Sequence, residues 1–164
     1  MHDTAPHLAG IGPDVREAIA RTRGADPPPP PQRPALLVVD MQRYFLEQGA
    51  PAHLPEGEAA LPAVNQLIRA FEAAGLPIFA TRYASRGPGD PIVRWWGTEL
   101  PEDSPWSALD PRLEAHSATV LVKHQYGTLS STDLDARLAA ARVEEVVIAG
   151  VMTDGFAGLL GLVG

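Results

Sequence analysis

The chain has 164 residues, of which 45% are hydrophobic and 20% charged, as is typical of one globular domain with a sizeable core. Its formal net charge of -7 argues against nucleic acid or an anionic membrane as the main partner. The sequence contains no cysteine, which excludes disulfides, thiolate metal sites and a cysteine nucleophile. It also lacks an apolar run of the roughly 20 residues that span a bilayer and a secretory signal, so we expect a cytoplasmic protein.

Residues 1–33 are predicted to form an N-terminal arm that precedes an α/β domain at 34–164. Within the arm, residues 13–23 can form a short helix that ends at Gly24. Residues 27–31 are consecutive prolines and predict a semi-rigid, extended spacer. We favour a spacer that docks the short helix on the domain or on a neighbouring subunit over a recognition motif for a proline-binding module.

Residues 35–40 form an unbroken apolar run that ends in a carboxylate, Asp40. A run of Val and Leu after Pro34 is typical of a strand that is covered on both faces and lies inside a parallel sheet. In such sheets the chemistry lies beyond the carboxyl ends of the strands, where Asp40 would be. Asp40 is therefore either a catalytic carboxylate or a simple cap of the loop that follows.

The remaining pattern is β-α-β-loop-β-α-β, which predicts an open parallel sheet of about four strands flanked by helices. Besides the strand at 35–40, the predicted strands are 77–83, 118–123 and 145–150. A first helix is predicted at 59–74, with Pro62 in its first turn. A second helix is predicted at 132–142, capped by Thr132, with Leu134, Leu138 and Ala141 pointing inward. Residues 84–117 hold all three tryptophans and predict an ordered, irregular segment that covers part of the domain. Residues 124–131 are predicted to be a loop.

The side chains at the strand ends suggest a shared site. If the third strand lies on the far side of the first strand from the second, the order is 2-1-3-4 and the winding reverses beside the first strand, which creates a crevice. Asp40, Lys123 and the turn at 150–153 would line that crevice. An Asp beside a Lys keeps its charge more easily or shares a proton with a substrate, but a structural ion pair or a Lys extended to solvent fits the residues as well.

Other kinds of site find little support in the sequence. His124 is the one histidine near the predicted crevice, and it is more typical of a loop residue than of a ligand. No pair of histidines at metal-ligand spacing follows the second strand, and no glycine-rich phosphate loop or Gly-x-Ser-x-Gly turn is present. We therefore expect neither a metal nor a cofactor.

Three motifs at three predicted strand ends resemble the isochorismatase-like hydrolases. They are Val38-Val-Asp40-Met-Gln42, Lys123 followed by Tyr126, and Gly150-Val-Met-Thr153, and they cover about residues 34–155 in the family's order and spacing. The resemblance implies a Rossmann-like fold, a small-molecule substrate and catalytic roles for Asp40 and Lys123. It also implies a non-proline cis peptide bond between Val151 and Met152. Weaker candidates for substrate binding are Arg94, Trp96, Tyr126, Met152 and Thr153.

Two departures from the family pattern shape the functional prediction. The cysteine hydrolases of the family cleave amide-type bonds with an Asp, a Lys and a Cys, and the position of that Cys corresponds to Phe156. The resemblance therefore favours the isochorismatase branch, in which an Asp protonates a vinyl ether and water adds to the resulting cation. The last residues up to Gly164 no longer resemble the family, which continues with further strands.

The second departure predicts a C-terminally truncated sheet with an exposed apolar edge, which makes a homo-oligomer a further expectation. The alternative to an active hydrolase is a catalytically inactive homologue, or a truncated product, with a binding or assembly role.

Overall fold

The computed structural model describes residues 33–125 and 127–151. Its strands are β1 (Pro34–Val39), β2 (Ile78–Tyr83), β3 (Thr119–Lys123) and β4 (Glu145–Gly150). Its helices are α1 (Arg43–Leu46), α2 (Pro55–Ala73), α3 (Pro91–Trp96), α4 (Thr128–Ser131) and α5 (Leu134–Ala140), with a 3-10 turn at Pro105–Ser107. The predicted short helix and polyproline segment of the arm lie outside the described residues, as does the tail after Val151. None of the helices in the described ranges is long and apolar enough to cross a membrane.

The four strands form one parallel sheet, which confirms the predicted α/β class. The predicted order 2-1-3-4 is wrong, because the strands follow the order β3-β2-β1-β4. β3 pairs with β2, from Phe79↔Thr119 to Tyr83↔Lys123, while β4 pairs with the free side of β1. The winding of the chain therefore reverses between β1 and β4, and the crevice that accompanies such a reversal lies there.

The core lies on both faces of β1, all six residues of which are buried. On one face, Leu36 and Val38 belong to a cluster with Ile68 and Phe71 of α2. On the other face, Leu37 packs in a second cluster with Leu134 of α5 and its neighbours. Because fully burying one such side chain contributes about 1.5–3 kcal/mol, these two layers fix β1 at the centre of the domain.

The two edges of the described sheet are less well covered. Val120 of β3 is 45% exposed, and all six residues of β4 are half-buried. This pattern agrees with β3 and β4 as the outer strands of the part of the chain that the structure describes. The central position of β1, which the buried run at 35–39 predicted, is confirmed.

Several element boundaries differ from prediction. α2 begins at Pro55, so Pro62 lies in the helix interior rather than in the first turn, and its side chain faces solvent. Pro55 is favourable in the first helical turn, and Glu56 and Glu58 there interact favourably with the helix dipole. The favourable residues in the first turn outweigh the cost of Pro62 in the helix interior, and the apolar face of α2 is buried.

Short helices explain the other differences. α3 lies within the segment predicted as irregular, because the Asp90 carboxylate caps it by accepting from the Ile92 N–H at 2.8 Å. α4 lies within the predicted loop at 124–131. α5 begins at Leu134 and its N-cap is Asp133 rather than the predicted Thr132, although the Leu134 N–H donates to Oγ1 of Thr132 at 3.2 Å. Ala141 follows the last turn of α5 and is exposed rather than inward-facing.

Candidate active site

Asp40 follows β1 directly and has an unusual backbone conformation. Its φ angle of 50° lies in the left-handed region, where a residue with a side chain is strained by about 1–2 kcal/mol. The Asp40 N–H donates to the Thr81 carbonyl at 3.1 Å, and its own carbonyl accepts from the Gln42 N–H at 2.7 Å. Asp tolerates this region better than most residues, and strain of this kind is concentrated at functional sites.

The Asp40 carboxylate pairs with Lys123 in a buried position. Lys123 Nζ lies 2.7 Å from Asp40 Oδ2, and the two side chains are only 4% and 5% exposed. Lys123 ends β3, which is two strands or roughly 10 Å from β1, so its four-carbon side chain must extend past the end of β2. An unpaired buried charge costs several kcal/mol, which makes the pairing a condition for burying either group.

Thr81 of β2 supplies the second partner of the carboxylate. Its side chain is fully buried, and its Oγ1 donates to Asp40 Oδ1 at 2.8 Å. The two oxygens of Asp40 therefore each have a partner, one from β2 and one from β3. Partners on two different strands fix both the position and the rotation of the carboxylate.

Gln42 holds the start of the following loop. Its side chain is fully buried, and Nε2 donates to the carbonyls of Tyr83 at 2.9 Å and Ser107 at 2.8 Å. Its Oε1 accepts from the Tyr83 N–H at 2.8 Å. One amide thus joins the ends of β1 and β2 to the 3-10 turn, and such a satisfied buried network is rigid.

The turn after β4 lies against the end of β1. The Val151 N–H donates to the Val39 carbonyl at 3.0 Å. Gly150 has a φ of 121°, and a Cβ there would lie 2.3 Å from that same carbonyl oxygen, so only glycine fits. Gly57 in the first turn of α2 is also closely approached, since a Cβ would lie 2.5 Å from Val151 Cγ1, but the atom that it would meet belongs to a side chain. The turn after β4 therefore lies tightly against the end of β1 at Gly150.

The segment between β2 and β3 packs over this region, held by an ionic network around Arg112. Arg112 forms ion pairs with Asp110 at 2.9 Å and with Glu58 of α2 at 2.7 Å, and its Nη2 also donates to the Leu46 carbonyl. Hydrogen bonds from Arg112 hold the pKa of Asp110 and that of Glu58 below their usual values. The Asp110 N–H donates to the Met41 carbonyl at 2.9 Å, so the network fixes the loop beside Asp40.

The structure brings together Asp40 and Lys123, the two residues that the sequence predicted as catalytic. Arg94 lies on α3 with an exposed side chain, and Trp96 ends the same helix. Tyr126, Met152, Thr153, Phe156 and the predicted cis peptide bond at 151–152 lie outside the described residues. Across the described ranges, no group of three or more His, Asp or Glu side chains is arranged to hold a metal ion.

Sequence reasoning missed Thr81 and Gly57. Thr81 lies within the predicted second strand, where threonine is a common residue, and its position in the sequence gives no sign of its contact with Asp40. Gly57 lies inside α2, whereas the predicted helix began only at residue 59. Thr81 could have been anticipated only from the general requirement that a buried carboxylate such as Asp40 have hydrogen-bond partners on neighbouring strands.

Comparison with known proteins identifies the family. Residues 34–155 match the family model of the isochorismatase domain. The chain belongs to the isochorismatase family. An N-carbamoylsarcosine amidase of an Arthrobacter species is 30% identical over 134 residues, which are 75% of this chain and 50% of that protein.

Two further isochorismatase-family comparisons extend this result. A probable inactive nicotinamidase of Arabidopsis thaliana is 28% identical over 136 residues, which are 73% of this chain and 66% of that protein. The crystal structure of N-carbamoylsarcosine amidase from Thermoplasma acidophilum superimposes with a TM-score of 0.64 at 30% identity, covering 72% of this chain and 67% of that one. The chain thus spans 50% and 66% of the two curated relatives described here.

Proposed function

We propose that this chain is a hydrolase of a small metabolite in which Asp40 acts as the general acid and base and Lys123 balances its charge. The observation that carries the proposal is the buried contact of 2.7 Å between Lys123 Nζ and Asp40 Oδ2, at the carboxyl ends of parallel strands. A titratable pair in this position is suited to proton transfer. The membership of the isochorismatase family supports a hydrolytic reaction.

The substrate class that fits this site best is a vinyl ether rather than an amide. The family's covalent route to amide cleavage needs a thiolate, and the chain has no cysteine. Vinyl-ether hydrolysis needs only a proton and a water molecule. Asp40 transfers its proton to the terminal enol carbon, and a cation forms at the ether carbon. Water adds to that carbon and returns a proton to Asp40, and the resulting hemiketal breaks its C–O bond to give a ketone and an alcohol.

Lys123 also provides a positive charge for substrate binding beside Asp40. In the free protein its ammonium is paired with Asp40. A substrate carboxylate that pairs with the same ammonium is held next to the Asp40 side chain. The arrangement therefore favours a small, carboxylated vinyl ether, of which isochorismate is the example that the family resemblance suggests.

The experiment that tests this proposal offers the purified chain one vinyl ether, isochorismate, and two amides, N-carbamoylsarcosine and nicotinamide, with product formation followed by chromatography. We expect turnover of the vinyl ether alone. Turnover of an amide, with an acyl intermediate that hydroxylamine can trap, would contradict the proposed chemistry. Wild-type protein that converts none of the three would favour the second candidate function.

That second candidate is a catalytically inactive homologue that binds a small molecule or a partner. It is favoured by the absence of cysteine from the chain and by its similarity to a probable inactive nicotinamidase. Binding of isochorismate without its conversion, measured by calorimetry on wild-type protein, would distinguish this candidate from an active hydrolase.

A further inference from the structure

A second concave site lies at the carboxyl edge of the sheet, apart from the Asp40–Lys123 pair. Its volume is about 470 Å³, and it is a polar depression that is largely open to solvent. The residues that line it are Arg86, His124, Gln125, Ser131, Thr132 and Asp133, and neither Asp40 nor Lys123 is among them. They come from the loops after β2 and β3 and from the junction of α4 and α5.

Arg86 supplies the positive charge of this pocket. Its backbone N–H donates to the Asp90 carboxylate, but within the described ranges its guanidinium takes part in no hydrogen bond or ion pair. Asp90 is occupied as the cap of α3, where it also accepts from the Ile92 N–H. A guanidinium presents a planar fork of N–H donors that matches the two oxygens of a carboxylate or the oxygens of a phosphate.

His124 lines the pocket, and one of its ring nitrogens already has a hydrogen-bond partner. Nδ1 lies 2.7 Å from the Ala84 carbonyl, which can only accept, so Nδ1 carries the hydrogen and donates. This bond fixes the ring and, in the neutral imidazole, leaves Nε2 as an acceptor, which can take an O–H of a ligand but cannot donate to an oxyanion. The side-chain amide of the neighbouring Gln125 adds two further N–H donors.

The one carboxylate in the lining is already neutralised. Asp133 accepts from Arg137 Nε at 2.8 Å and forms an ion pair with its Nη2 at 2.8 Å, a two-point contact that balances its charge. The hydroxyls of Ser131 and Thr132 donate to the carbonyls of Gly127 and Thr128. The charge left without a counter-ion in the lining is therefore the positive charge of Arg86.

We propose that this pocket binds the oxyanion group of a small molecule, a carboxylate or a phosphate, held by the N–H donors of Arg86 and Gln125, while His124 Nε2 accepts from an O–H of the ligand where it has one. The inference does not depend on the proposed hydrolysis, because no catalytic residue lines the pocket. Non-specific attraction of anions is not expected from a chain with a net charge of -7, so saturable binding requires a local site of this kind.

The test is a titration of the full chain at low ionic strength, by calorimetry and by NMR of the backbone amides, with inorganic phosphate and separately with malonate. We expect one saturable site for at least one of these anions, with the largest shifts at residues 86, 124 and 125. The stronger ligand of the two identifies phosphate or carboxylate as the preferred group. Arg86→Gln should weaken binding at least about tenfold, because a charge-assisted contact is lost.

Arg69→Gln is the matched control, since it removes one positive charge from an exposed residue of α2. It should leave the affinity unchanged. The proposal is overturned if the two variants lose affinity equally, or if wild-type protein binds neither anion in a saturable way. It is also overturned if the largest amide shifts lie at residues 40 and 81 rather than at 86, 124 and 125, because the anion would then be held at the catalytic pair.

Discussion

Lys123 Nζ and Asp40 Oδ2 lie 2.7 Å apart, although β3 and β1, the strands that carry them, are not neighbours in the sheet. β2 lies between them and contributes Thr81, whose hydroxyl donates to the other carboxylate oxygen at 2.8 Å. One carboxylate thus joins the ends of three parallel strands. The site and the stability of this end of the sheet therefore depend on the same contacts.

Replacing Lys123 by Met should destabilise the protein by about 3–5 kcal/mol, because the Asp40 carboxylate then remains buried without this cation. The free energy of unfolding from urea denaturation measures the effect. The double variant Asp40→Asn with Lys123→Met removes both charges and should be more stable than the single Lys123→Met variant. A Lys123→Met variant within 1 kcal/mol of wild type would contradict the claim that burial of Asp40 depends on this cation.

Thr81→Val should cost about 1–3 kcal/mol, because it removes the O–H donor from a buried carboxylate while keeping the shape of the side chain. Thr81→Ser keeps the donor and is the matched control. If the chain is active, Val should lower kcat more than it raises KM, and Ser should restore most of kcat, since the hydroxyl orients Asp40. Equal effects of Val and Ser on stability and on kcat would argue against that positioning role.

Gly150→Ala should destabilise the protein by about 3 kcal/mol or more, because the new Cβ would meet the Val39 carbonyl and the residue would be strained at a φ of 121°. Gly49→Ala is the comparison, since Gly49 also has a positive φ, 84°, but a Cβ there meets nothing within 4 Å. It should cost only about 1 kcal/mol. Equal losses in thermal or urea unfolding would mean that contact with Val39 is unimportant.

The Arg112 network should make stability depend on pH in the acid range. Because Arg112 lowers the pKa of Asp110 in the folded state, the unfolded chain binds the proton more tightly. The contribution of Asp110 is therefore complete above its unfolded pKa of about 3.9 and is lost as the pH falls through the lower folded value. Asp110→Asn should reduce stability near pH 7 and approach wild type in strong acid.

Urea denaturation between pH 2 and pH 7 measures this difference. Asp103→Asn, which changes an exposed carboxylate of the same loop, should follow the wild-type curve throughout. A gap between Asp110→Asn and wild type that stays constant down to pH 2 would show that the stabilisation does not come from the ionised carboxylate.

The sequence predicted the elements of the fold better than their arrangement. The run at 35–39 identified a central, fully covered strand, because burial on both faces removes polar residues from a strand. Which side of β1 the third strand would take had no signal in the chain, since the long connection at 84–117 can reach either edge of the sheet. Asp40 and Lys123 were predicted together on the assumption that the third strand lies next to β1, which is wrong. They meet all the same, because a lysine side chain is long enough to pass the intervening strand β2.

The supporting residues could not be predicted for a different reason. Thr81 and Gly57 act through contacts with residues that are distant in the sequence, and neither breaks the local pattern of its own element. Gln42 belongs to a recognised motif, but its three hydrogen bonds to Tyr83 and Ser107 depend on the position of the loop before β3. Periodicity reports burial, whereas these roles depend on the tertiary arrangement.

The most direct test of the central claim, that Asp40 is the acid–base group of a hydrolase, is kcat/KM for isochorismate measured in parallel on wild type, Asp40→Asn and Asp103→Asn. The account predicts that Asp40→Asn loses about 10²–10⁴-fold, the usual contribution of a general acid or base, while Asp103→Asn matches wild type. Circular dichroism on each sample establishes that the variants are folded. An Asp40→Asn protein that is folded and retains wild-type kcat/KM would contradict the account.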